Sequence, residues 1–173
     1  TKTIHRILID PQDENTIYVG ALGDPFTKNE HRGLYKTTDG GQTWVKILYS
    51  NNSSGIGDLV MDPTNSNKIF AALYDHHRTP YSFVSGGAGS GFYFTINGGK
   101  TWTKIGPENG ISKGELGRIG IAIAPSNPMR VYAKIEADKN LLYRSDDGGE
   151  SWKVINDNPK FTNNRPFYFQ DLA

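Results

Sequence analysis

The chain has 173 residues, 36% of them hydrophobic, enough to bury a real core and to exclude a disordered tail. Nineteen basic residues face eighteen acidic ones, without the basic excess that a nucleic-acid or anionic-membrane binder usually carries. With no cysteine there is no disulfide or thiolate chemistry, and no apolar run approaches the roughly 18 residues that cross a bilayer.

Residues 4–10 read as a first strand that Pro11 ends, followed by strands at 16–22, 33–37 and a short one after Trp44. The same order returns at 56–62 (ended by Pro63), 68–74, 91–96 and after Trp102, and again at 118–124 (ended by Pro125), 130–137, 141–145 and after Trp152. These runs are rich in Ile, Val, Tyr and Phe and are bounded by Pro, Asn, Asp and Gly, as strands are. The third strand of each set carries a tyrosine at the same place: Tyr35, Tyr93 and Tyr143. No stretch holds a helical period. The predicted fold class is all-β.

Between the third and fourth strands one turn occurs three times: Thr37-Thr38-Asp39-Gly40-Gly41-Gln42-Thr43-Trp44, Thr95-Ile96-Asn97-Gly98-Gly99-Lys100-Thr101-Trp102 and Ser145-Asp146-Asp147-Gly148-Gly149-Glu150-Ser151-Trp152. Asp-Gly or Asn-Gly between strands is a hairpin signal, because glycine takes positive φ at no steric cost. Asp39, Asn97 and Asp147 are expected to accept a backbone hydrogen bond about two residues on. Asn97 carries no charge, so hydrogen bonding is what the turn requires. The three tryptophans are expected between packed sheets, each bringing roughly 150–250 Å² of surface.

Four antiparallel strands per unit at this spacing make propeller blades, here about 4–48, 56–106 and 117–157. Residues 166–173 read as the first strand of a fourth blade. Propellers close with about four to eight blades. The expectation is therefore a partial β-propeller, a slice of a longer chain whose remaining blades are its neighbours.

The turns resemble the Asp-box, or BNR, repeat, Ser/Thr-x-Asp-x-Gly-x-Thr-Trp, with departures at Asn97 and Ser151. With the surrounding Arg32-Gly33-Leu34-Tyr35, Asp58-Leu59-Val60-Met61-Asp62-Pro63 and Gly117-Arg118-Ile119-Gly120, the chain is similar to bacterial sortilin-like propellers, many of them labelled glycosyl hydrolases. Asp boxes also occur in sialidases, xyloglucanases and sorting receptors, where the resemblance implies that they are structural. No catalytic residue of those enzymes matches a position here. Similarity to the bacterial proteins implies export to the periplasm or cell exterior.

In a four-stranded meander the Asp boxes share one end of the blade with the first-to-second strand turns. The long loops 23–32 and 75–90 fall at the other end, where function is expected. Candidate ligand-binding residues are His31, Arg32, His76, His77, Arg78, Tyr81 and Phe83, suited to a protein, peptide or glycan. Adjacent His76 and His77 point to opposite sides of an extended chain, so no metal site is expected, and no cofactor motif is present. The run Gly86 to Gly91 leads into a strand and lacks Gly-Lys-Ser/Thr, which leaves backbone crowding near the propeller centre as its reading. Asp10 and Asp62 read as turn residues. Glu30, Asp75 and Glu115 remain as acids near the loop end, with nothing marking two of them as a catalytic couple. The expected function is non-catalytic binding or scaffolding through the loop face. The alternative is a polysaccharide hydrolase of the xyloglucanase or sialidase kind, its catalytic acids partly outside this chain.

Overall fold

The structure is a computed structural model that describes residues 2–162 and 172. Apart from Leu172, the strand expected at 166–173 lies outside the described residues. Blade 1 consists of β1 (Ile4–Asp10), β2 (Asp13–Ala21), β3 (Gly33–Thr37) and β4 (Val45–Leu48), in that spatial order. Blade 2 holds β5 (Ser54–Asp62), β6 (Asn65–Arg78), β7 (Phe83–Ser85), β8 (Gly91–Thr95) and β9 (Thr103–Ile105); β7 pairs only with the far end of β6. Blade 3 holds β10 (Ile119–Ile123), β11 (Val131–Ile135), β12 (Leu141–Ser145) and β13 (Lys153–Asn156). All pairings are antiparallel. A single helical turn, α1 (Pro159–Thr162), follows. The molecule is the expected arc of a β-propeller.

Burial along the second strand of each blade reports the stacking. In β6 residues 69–74 are all buried, because blade 2 has a blade on both faces. Ile69, Ala71 and Leu73 join Tyr18 and Leu34 of blade 1, while Phe70 and Ala72 join Val131, Ala133 and Ile135 of blade 3. In β11 burial alternates, with Tyr132 and Lys134 on the face turned away from blade 2. This is the period-two pattern of a half-covered sheet.

Two of the three tryptophans, Trp102 and Trp152, pack backwards along the chain onto the blade before their own. Trp152 is 5% exposed, its ring centroid 5.2 Å from that of Phe92 in blade 2. Trp102 is half-buried against the blade 1–blade 2 core. Trp44 is 42% exposed, which corrects the expectation that all three indoles lie between sheets. Its sheet has no preceding blade in this structure, so Ile4, Ile7, Ile9 and Val45 are exposed in the same blade.

Each Asp box is closed by its own side chains, with one correction to the expected geometry. The acceptor bond spans four residues and not two. Thr43 N donates to Asp39 Oδ1 (2.9 Å), Thr101 N to Asn97 Oδ1 (3.0 Å) and Ser151 N to Asp147 Oδ1 (3.0 Å). The leading hydroxyl of Thr37, Thr95 or Ser145 donates to the same oxygen and accepts from the second glycine's N–H. That glycine has φ of 95°, 86° and 103° in the three boxes, a region closed to most L-residues. Asn97 reverses one bond: its Nδ2 donates to Thr101 Oγ1, where Asp39 accepts from Thr43 Oγ1. The first box glycine ties the turn to its own first hairpin through Gly40 N to Asn15 O, Gly98 N to Asn67 O and Gly148 N to Met129 O. Asp10 and Asp62 are turn acceptors at this same end, as expected.

Candidate functional site

At the opposite end, blade 2 departs from the loop expected at 75–90. β6 continues through Arg78, turns at 79–82 and returns as β7, with His76 opposite Ser85, His77 opposite Val84 and Arg78 opposite Phe83. The hairpin leans on the first loop, Arg78 N donating to Pro25 O (2.8 Å) and His76 N to Ser53 O (3.3 Å). The glycine run beyond it is crowded, as expected. Gly86 has φ of 97°, and a Cβ there would stand 2.8 Å from Leu116 O.

Under the hairpin lies a cavity of about 180 Å³, walled by Thr3 and His5 at β1, Gly57 of β5, Arg118 before β10, and Leu22, Tyr74, His76, Arg78 and Phe83. Among the described residues no carboxylate lines it. The imidazole of His76 stacks on Tyr74, rings 4.8 Å apart and 7° from parallel. Arg78 sits over the Phe83 ring at 5.7 Å. Arg118 Nη2 and His5 Nε2 are 3.3 Å apart across the floor. Behind the cavity, Tyr74 Oη and Ser85 Oγ are 2.8 Å apart, and Ser85 Oγ lies 2.7 Å from Glu136 Oε2, which also accepts Arg118 N (2.8 Å). Burial, modified by the Ser85 bond, pushes the Tyr74 phenol up to about 12.

The seven predicted site residues fall into four groups. His76, Arg78 and Phe83 meet at the cavity. His77 lies on the other side of the strand, half-buried, and Tyr81 stands 98% exposed at the hairpin tip. His31 is exposed on the uncovered face of blade 1, beside Ile4, Val19, Tyr35 and Trp44. Arg32 is fully buried: its guanidinium donates to the carbonyls of Leu22 (3.1 Å), Ser53 (2.7 Å), Thr27 (3.1 Å) and Asp24. It is the clamp that closes the 23–32 loop onto the blade crossover, with both Nη groups engaged by carbonyls and Nε buried without a hydrogen-bond partner. Asp75 is engaged too, Oδ2 accepting Gly89 N (3.2 Å). His5, Tyr74, Arg118 and Glu136 were missed, because they come from three blades and share no sequence neighbourhood. Among the described residues no group of three or more His, Cys, Asp or Glu side chains could hold a metal ion.

His76 makes the hairpin acid-sensitive. Burial first, then the Arg32 charge with Nη1 3.4 Å from Nδ1, pull its pKa down to about 4; Asp75 and Arg118 are the other charges it feels. Because the folded value lies below the ordinary 6.5, the neutral form is favoured in the fold. That stability is complete above about pH 6.5 and is lost as pH falls towards 4, to a limit of about 3 kcal/mol. Urea unfolding at pH 7, 5.5 and 4 should show a steeper loss for the natural chain than for His76→Phe, which keeps the stack and removes the titration. Equal losses would contradict this reading.

Fold and turn together define a class: a partial β-propeller assembled from Asp-box repeats. Residues 143–154 match the BNR/Asp-box repeat family. The chain is 28% identical over 183 residues to xyloglucanase Xgh74A of Acetivibrio thermocellus, covering 91% of this chain and 20% of that protein. It is 26% identical over 182 residues to the oligoxyloglucan-reducing end-specific xyloglucanase of Emericella nidulans, covering 88% and 21%. Among solved structures it matches the GH74 xyloglucanase from Xanthomonas campestris with a TM-score of 0.67 at 19% identity, over 98% of this chain and 25% of that one. The chain thus spans about a fifth of the length of the curated relatives it matches.

Proposed function

We propose that the chain is an arc of a propeller enzyme that hydrolyses xyloglucan or a related β-glucan. The observation that carries this is similarity over nearly the whole chain to proteins named xyloglucanases. In this reading the three blades supply frame and part of the glycan surface, with the cavity aromatics and Arg78 as sugar contacts. The two carboxylates that glycoside hydrolysis requires lie at least partly outside this chain in this reading; among the described residues the cavity lining holds none. A polymer of that size cannot cross a membrane, so the protein that acts on it works outside the cell. No helix among the described residues is long and apolar enough to cross a membrane.

That lining also favours a second reading, a non-catalytic propeller that holds a glycan, peptide or protein at the loop end. Incubating the full-length protein with xyloglucan separates the two. Release of new reducing ends supports the enzyme; retention of the polymer without cleavage supports the binder. A protein that neither cleaves nor retains the polymer would overturn both readings.

A further inference from the structure

One register position carries a different side chain in each blade. Glu136 follows Ile135 of β11 as Tyr74 follows Leu73 of β6 and Leu22 follows Ala21 of β2. Ile135, Leu73 and Ala21 are equivalent, because they lie at the same offset from the residue that faces Ser145, Thr95 or Thr37 at the head of each Asp box. In blades 2 and 3 this position is polar, and a serine hydroxyl joins the two side chains. Tyr74 Oη and Ser85 Oγ are 2.8 Å apart, and Ser85 Oγ lies 2.8 Å and 2.7 Å from the two oxygens of Glu136. Ser85 belongs to β7, the short hairpin strand beside the end of β6. Gly117 makes room for the carboxylate, since a Cβ there would overlap Glu136 Oε2.

The order of donors along these oxygens has one solution. Glu136 Oε2 also takes Arg118 N (2.8 Å), a group that can only donate, and a carboxylate can only accept. Ser85 must therefore direct its single proton to Glu136, and its oxygen accepts from Tyr74. The Tyr74 phenol, pushed up to about 12 chiefly by burial, has that proton to give. What Tyr74 Oη can still offer is a lone pair. Tyr74 is also a wall of the cavity, whereas Ser85 and Glu136 stand behind it. Blade packing does not require this arrangement. Blade 1 fills the same register position with Leu22, which buries no polar side chain.

We propose that Tyr74 is the hydrogen-bond acceptor for a sugar hydroxyl in this cavity, and that Glu136, acting through Ser85, is the positioning residue that keeps it an acceptor. The inference rests on the glycan reading of the cavity given above. The Tyr74 ring is held by its stack on His76, centroids 4.8 Å apart, which fixes where the phenol oxygen stands. A sugar hydroxyl suits that oxygen because it can donate. An ether or carboxylate oxygen at the same place would set lone pair against lone pair.

The test is calorimetric binding of a soluble xyloglucan oligosaccharide to the full-length protein, with Tm recorded for each variant. Tyr74→Phe, which keeps the ring and removes the oxygen, should weaken binding about tenfold. Glu136→Gln should lose part of that affinity at a Tm near the natural value, because an amide can donate to Ser85 and reverse the order. In the Tyr74→Phe background it should lose nothing more. Ser85→Thr, which retains the hydroxyl, should bind as the natural protein does. Natural affinity in Tyr74→Phe, or an equal loss from Glu136→Gln with and without the tyrosine hydroxyl, would overturn the proposal and leave the glycan reading standing. Failure of the natural protein to bind the oligosaccharide would overturn both.

Discussion

Replacing Trp152 by alanine should destabilise the protein by about 3–5 kcal/mol, while Trp44→Ala should cost only about 1 kcal/mol in this 173-residue chain. The two indoles occupy the same place in the repeat and differ in what lies beneath them. Trp152 is buried on Phe92 with Nε1 donating to Gly149 O (3.0 Å); Trp44 keeps the matching bond to Gly41 O (3.0 Å) but has solvent where a blade would be. Removing Trp152 opens a cavity between two rigid sheets that cannot collapse, whereas removing Trp44 trims a surface. Denaturant midpoints of the two variants measure the difference directly. Equal costs would mean that the indole stabilises its own turn and not the blade contact.

Arg32→Ala should also cost roughly 3–5 kcal/mol, and it should act on stability before it acts on any ligand. Four carbonyls accept from this one guanidinium, in a place that water reaches poorly. Without it those acceptors are stranded and the 23–32 loop loses its tie to the 49–53 crossover. Arg32→Lys should recover only part, because a single ammonium cannot span acceptors placed for a planar fork. Circular-dichroism melting of both variants provides the check. A variant that melts like the natural chain yet loses glycan binding would return Arg32 to the list of ligand residues.

The repeat was legible because an Asp box closes through bonds within eight residues, so its chemistry is written locally. Strand identity followed for the same reason: Ile4–Asp10 and Leu141–Ser145 were read to the residue. The hairpin was not, since Asp75-His76-His77-Arg78 has no strand propensity. Its extension depends on β7 returning across a turn in which Thr79 Oγ1 accepts Ser82 N (2.9 Å). Arg32 read as a ligand-binding residue because its partners are backbone carbonyls, which leave no mark in residue type. Trp44 was misplaced because the motif records what a turn offers to a neighbour and not whether the neighbour is there. The cavity gathers His5, Tyr74 and Arg118 from three separate blades, a convergence that exists only once the sheets have stacked.

Trp102 and Trp152 each anchor their blade to the preceding one, whereas Trp44 has no blade beneath it in this structure. Three variants, each retaining one tryptophan with phenylalanine at the other two positions, test this arrangement through iodide quenching of fluorescence. In this chain quenching should be strongest for Trp44, intermediate for Trp102 and weakest for Trp152. Equal quenching at the three sites, or Trp152 as the most accessible, would contradict it.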